Sequence, residues 1–208
     1  IRKKNKDLKI LIIGLPKSGS SILTYRIAGG NSSLKIFFEP GSRKSLNDLA
    51  LHQKICSTNK NLITKSLYYW NEENHLKEIS ELYDKIIWLK RDPRDVIISQ
   101  YLYRWNKSHG LEEADFLKTI KDLKRKEEDP FSLDFKNMLR SNGTRNLLNI
   151  MYEQGKRYTT YIDERRSLGN RAFDFKYEEM IKGEYKNLEA FLGFSIAGDA
   201  EVPDKLSR

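Results

Sequence analysis

The 208-residue chain has one cysteine, Cys56, and three scattered histidines, His52, His75 and His109. A lone cysteine excludes an internal disulfide, and no spacing among these residues matches a set of metal ligands. The histidines therefore read as surface or packing residues. No apolar run approaches the roughly 18–20 residues of a membrane span. The longest, such as Ile86–Leu89, are strand-sized. No secretory signal is visible, so the expectation is a cytoplasmic protein. The chain begins at Ile1 rather than Met, which leaves an anchored or secreted longer form open. Internal repeats, low-complexity stretches and linker-like breaks are also missing, which argues for a single domain over residues 1–208.

The net charge is +9, with 38% hydrophobic and 32% charged residues. Much of that charge is local. Arg2, Lys3, Lys4, Lys6 and Lys9 against Asp7 make a basic tail over residues 1–9, worth +4. Lys118–Glu128 mixes signs and reads as a solvated helix face. The remainder suits an anionic small molecule or an acidic acceptor. Without an aromatic-basic motif or a zinc finger, nucleic acid is not favoured.

One segment carries most of the chemical information. Ile10–Ile13 is a short β run, Gly14-Leu15-Pro16-Lys17-Ser18-Gly19 is a tight turn, and Ser20-Ser21 opens a helix. A strand, a glycine-containing loop and a helix N-terminus present backbone N–H groups to an anion. The usual nucleotide-triphosphate loop needs a lysine directly after its second glycine. Here Ser20 holds that position and the lysine, Lys17, lies inside the loop. Pro16, Lys17, Ser18, Gly19, Ser20 and Ser21 are thus candidate phosphate-binding residues. The plain alternative is a turn in which Ser18 caps the helix.

Strands are expected near Leu8–Ile13, Leu34–Phe38, Asn61–Ser66, Lys85–Leu89 and Ala172–Phe175. Helices are expected near Ser18–Gly29, Ser45–Cys56, Glu72–Leu82, Arg94–Trp105, Thr144–Arg166 and Tyr177–Leu192, with a further charged helical stretch from Glu112 to the break at Asp129-Pro130. Such alternation implies βαβ crossovers: a three-layer α/β fold with a mainly parallel sheet of four or five strands. Ligands of these sheets bind beyond the strands' carboxyl ends. The loop after the first strand, Glu39 after the second, Lys65 after the third and Arg91 after the fourth all fall there. Arg91-Asp92-Pro93-Arg94-Asp95-Val96-Ile97-Ile98-Ser99 pairs a planar guanidinium with a hydroxyl in the second turn of the next helix, a combination fit for an oxyanion. A charged strand-to-helix turn is the simpler reading. The aromatics Tyr68, Tyr69, Trp70, Tyr101, Tyr103 and Trp105 would either pack or line an acceptor pocket.

At these residues the chain resembles the sulfotransferases that use 3′-phosphoadenosine 5′-phosphosulfate (PAPS). Leu15–Ser21 is similar to their 5′-phosphosulfate loop, and Arg91–Ser99 to their 3′-phosphate motif, in which the first arginine and final serine hold the phosphate. Phe175-Lys176-Tyr177-Glu178-Glu179-Met180 resembles a third segment near the C-terminus, with Lys176 in place of the usual arginine. The resemblance implies sulfonate transfer from PAPS to a small-molecule or carbohydrate acceptor, leaving adenosine 3′,5′-bisphosphate (PAP), without a metal. The histidine base of the cytosolic branch has no counterpart in Ile63-Thr64-Lys65-Ser66-Leu67, and that branch's closing R-K-G loop is missing. The likeness is to the bacterial or carbohydrate-type branch, where a glutamate serves as base. That implies Glu39 as base, with Lys17 and Lys65 as further catalytic candidates and Arg91 and Ser99 on the 3′-phosphate. A P-loop kinase and a non-catalytic nucleotide-binding relative stand as alternatives.

Overall fold

The computed structural model describes residues 7–69, 75–103, 113–134, 137 and 147–197. Most of the basic tail, together with Trp70 and Trp105, lies outside the described residues. The chain divides into two compact units. One comprises residues 1–92 and 159–208, the other 93–158.

The first unit is built on five parallel strands: β1 (Leu8–Gly14), β2 (Lys35–Phe38), β3 (Asn61–Leu67), β4 (Lys85–Lys90) and β5 (Ala172–Lys176), in the order β2-β3-β1-β4-β5. The β1 run Lys9-Ile10-Leu11-Ile12-Ile13 does not alternate because both faces of the central strand are covered. Ile10, Leu11, Ile12 and Ile13 are all fully buried. Ile12 lies level with Lys65 of β3 and Ile87 of β4, which fixes the strand ends at one edge.

Each face has its own cover. On one face Ile10, Ile12, Ile63, Ile87, Leu89 and Phe175 meet Leu23 and Ile27 of α1 (Ser20–Gly30), together with Met180 of α7 (Tyr177–Lys182) and Leu188 and Leu192 of α8 (Lys186–Leu192). On the other face, α2 (Leu49–Thr58) carries His52, which reaches Tyr83, just past α3 (Leu76–Glu81). Trp88 of β4 stacks there on Tyr161, with ring centroids 4.3 Å apart. Tyr161 belongs to the end of α6 (Leu147–Ser167) that lies in this unit. The expected α/β, three-layer, parallel arrangement is therefore present.

Three element boundaries differ from expectation. The Ser45–Cys56 helix is a 3₁₀ turn, Ser42–Asn47, followed by α2. Asp48 separates them, because its carboxylate accepts from Leu51 N at 2.9 Å and starts a new helix. The closing helix breaks after Lys182. There Gly183 takes a left-handed conformation (φ 74°), and Glu184 N donates back to Glu179 O at 2.9 Å. The helix after the Gly14–Gly19 loop begins at Ser20, with Gly19 rather than Ser18 at its N-cap and no side-chain cap.

The second unit holds α4 (Pro93–Tyr103), α5 (Glu113–Glu128) and the start of α6. Pro93 occupies the first helical position, where its missing N–H costs nothing. Gln154 of α6 donates to Gln100 of α4 at 2.8 Å. At the end of α5, Lys126 Nζ donates to the carbonyls of Pro130 and Leu133 at 2.8 and 2.9 Å.

Candidate functional site

The site residues of the first unit gather at the carboxyl ends of β1, β2, β3 and β4. The loop after Gly14 turns sharply, closed by Ser18 N donating to Leu15 O at 3.1 Å. Lys17 has φ 69°, uncommon for a side-chain-bearing residue, and Gly19 follows at φ 90°. Leu23 N donates to Gly19 O as the first bond of α1. The N–H groups of the turn ahead of it have no helical carbonyl within reach, so they point their partial positive charge out of the helix end.

Ser18 is 1% exposed, and its Oγ is buried against Gly14 with no hydrogen-bond partner among the described residues. It does not cap the helix. Pro16, Lys17 and Ser21 are half-buried, and Ser20 is buried.

Arg91, just past β4, reaches the loop between β1 and α1. Its Nη1 donates to Lys17 O at 2.8 Å, while the guanidinium carbon lies 3.9 Å from the centre of the Tyr177 ring. Its buried Nε has no partner among the described residues. The Tyr177 ring also lies on Gly19, where any Cβ would collide with it. Glu178 accepts from Asp92 N at 3.0 Å, and Glu179 accepts from Lys176 N at 3.4 Å. Tyr177 and Glu178 thus brace both the loop and the arginine. The sequence showed their motif, but their distance from Arg91 along the chain hid the role. Ser99 lies on α4, in the second unit.

Glu39 and Lys65 meet at the ends of β2 and β3. Their side chains form a direct ion pair, and Glu39 N donates to Lys65 O at 2.8 Å. Lys65 is only 3% exposed, and its Nζ sits 4.3 Å from the Phe38 ring centre. Burial lowers its pKa, opposed by the bond to Glu39 and that residue's negative charge. Lys17 is lowered to about 8, first by burial and then by the positive charge of Lys65. Two ammonium groups and one carboxylate therefore share this corner.

The opposite face of the sheet carries a buried chain of uncharged hydrogen-bonding groups. His52 is fully buried, with Nε2 2.9 Å from Ser45 O and Nδ1 2.7 Å from the Tyr83 hydroxyl, itself 2.9 Å from Thr64 Oγ1. Because Nε2 faces a carbonyl, it carries the ring proton. Burial lowers the pKa of His52. Tyr68, one of the candidate acceptor aromatics, is 2% exposed and packs with Trp88 and Tyr161 as core.

The family model described as Sulfotransferase domain matches residues 7–207. Among solved structures, the chain is similar to mouse sulfotransferase SULT7A1 complexed with PAP, at 18% identity and a TM-score of 0.49. That match covers 91% of this chain and 59% of the mouse chain. It is also similar to a sulfotransferase from Alicyclobacillus acidocaldarius, at 17% identity and a TM-score of 0.48, covering 98% of this chain and 86% of that one. A sulfotransferase domain from the curacin biosynthetic pathway aligns at 16% identity and a TM-score of 0.45, covering 92% and 76%. The chain thus spans less than two thirds of the mouse relative. No curated protein matches the sequence. At these scores, family membership rests on the match to residues 7–207.

Proposed function

This chain belongs to the sulfotransferase domain family, and on that premise we propose that it transfers a sulfonate group from PAPS to an acceptor hydroxyl or amine. The observation that carries this reading is the bond from Arg91 to the Lys17 carbonyl, which ties one cationic, oxyanion-binding group to the phosphate loop of another. A donor with phosphates at two ends of one nucleoside asks for such a pair of sites. Two of the six buried polar side-chain atoms without a hydrogen-bond partner among the described residues, Arg91 Nε and Ser18 Oγ, belong to these motifs. Buried polar groups without partners are uncommon in native proteins, and these two lie on the loop and the arginine that the reading assigns to the donor.

In this reading Pro16–Ser21 hold the 5′ end of the donor through backbone N–H groups, the hydroxyls of Ser20 and Ser21, and the Lys17 ammonium. Arg91 holds the 3′-phosphate, which selects PAPS over ATP. When bound, the donor supplies the sulfonate. The acceptor oxygen or nitrogen bonds to sulfur as the bond from sulfur to the 5′-phosphate oxygen breaks, and that oxygen keeps the electron pair as PAP. Glu39 takes the acceptor's proton. Lys17 and Lys65 stabilise charge developing on the sulfonate and the departing oxygen, an electrostatic task performed by groups already in place. Lys17 supplies the positive charge that a metal gives in kinases.

Thermal stabilisation by PAP without metal, beside ADP and ATP with magnesium, tests the reading. A selective rise in Tm with PAP, lost in Arg91→Ala, is expected, because a ligand of the native state stabilises it as RT ln(1 + [L]/Kd). A rise only with ATP and magnesium would overturn it in favour of the P-loop kinase.

A further inference from the structure

Lys65 holds Glu39 at two points. Its carbonyl accepts from Glu39 N at 2.8 Å, and its ammonium pairs with the Glu39 carboxylate. Glu39 itself has φ 45°, a conformation that disfavours any residue with a side chain. The backbone bond would suffice to close this turn. The ion pair has a different cause: Lys65 is 3% exposed and carries a charge in a place where burial opposes it. A second ammonium group, that of Lys17, is near enough for the charge of Lys65 to depress its pKa. A buried ammonium group is stabilised by a compensating anion beside it, and here that anion is the Glu39 carboxylate. A carboxylate is a compact, delocalised oxyanion, as a sulfonate is.

We propose that Glu39 is the internal anion of Lys65, and that the sulfonate of the donor competes with Glu39 for that ammonium group. The inference rests on the sulfotransferase reading and adds an order of events to it. Until the sulfonate arrives, Glu39 is engaged with Lys65. Once Lys65 turns to the sulfonate, the carboxylate is released to take the acceptor's proton. The base is thereby armed by the donor, and an acceptor that binds first meets an occupied carboxylate.

PAP and PAPS differ by the sulfonate, so their relative affinities read the competition directly. Calorimetry without metal or acceptor would give both Kd values for the native protein, Glu39→Gln and Lys65→Gln. Removing the competing charge in E39Q should tighten PAPS about tenfold, with PAP changed less than about twofold. K65Q should weaken PAPS until it binds no better than PAP. If E39Q fails to fold, Glu39→Ala carries the same expectation. A PAPS-to-PAP ratio that is unchanged or lower without the carboxylate would overturn the competition while leaving the sulfotransferase reading intact. A native protein that binds neither nucleotide would overturn both.

Discussion

Thr64 and Lys65 are neighbours on β3, yet they serve opposite sides of the sheet and opposite purposes. On the Thr64 side, Tyr83, His52 and the Ser45 carbonyl form a buried, neutral chain in which each group has a partner. On the Lys65 side, a buried ammonium pairs with the Glu39 carboxylate, two residues sit at positive φ, and Arg91 Nε and Ser18 Oγ have no hydrogen-bond partner among the described residues. The sheet thus carries a hydrogen-bonded chain of uncharged groups on one face and an ion-paired, charged cluster on the other, and buried polar atoms without a partner among the described residues occur on both, Ser66 Oγ and Trp88 Nε1 on the first. A satisfied network stabilises the fold. Strained backbone tends to collect where function needs it, and both positive-φ side-chain residues, Lys17 and Glu39, lie on the charged side.

The sharpest way to break the comparison is at Arg91. Losing a charged donor that also holds the Lys17 carbonyl should weaken PAP binding by about 100-fold in Arg91→Ala, in line with about 1.5–3 kcal/mol for a charge-assisted bond. Isothermal calorimetry would check this, and urea unfolding should show a much smaller change in stability. On the other face the signs reverse. His52→Ala should cost about 2–3 kcal/mol of stability, because it leaves the Ser45 carbonyl and the Tyr83 hydroxyl without a partner. In the same variant, PAP affinity should stay within about twofold, since the residue touches no part of the anion site.

The two faces should also fail at opposite ends of the pH scale. His52 has its pKa lowered by burial in the folded state, so the unfolded chain takes up the proton first. Its contribution is fully present above the unfolded value of about 6.5 and declines as pH falls below it. Urea midpoints at pH 7.5 and 5.5 should show the drop, and it should shrink in a His52→Gln variant. Lys17, lowered to about 8, loses its charge above that pH. PAP affinity should weaken as pH rises from 7 to 9, by at most about tenfold per unit for a single proton. A flat profile would remove Lys17 from anion binding.

Much of the framework was legible because it is local. The unbroken apolar runs of β1 and β4 could only be strands covered on both faces, and the loop between β1 and α1 announces itself within a dozen residues. What escaped the sequence depends on pairs far apart in the chain. Glu39 and Lys65 both stood out as candidates, but nothing in their spacing says that they bind each other. Tyr177 and Glu178 reach Lys17's loop and Asp92 only because β5 lies beside β4. His52 was read as a surface or packing residue, and only the burial of Tyr83 reveals it as the centre of a hydrogen-bonded chain. The break at Gly183 was visible as a glycine, but the apolar spacing on either side of it still suggested one continuous helix.

Amide hydrogen exchange with and without saturating PAP tests the contrast between the faces most directly. PAP should slow exchange at the amides of residues 17–22, Asp92 and Tyr177 by about tenfold or more, because the ligand would bond or shield them. The segments 45–58 and 83–84 on the neutral face should exchange as before. Protection confined to that neutral face, or none at the loop while PAP is demonstrably bound, would contradict the assignment of the charged edge as the donor site.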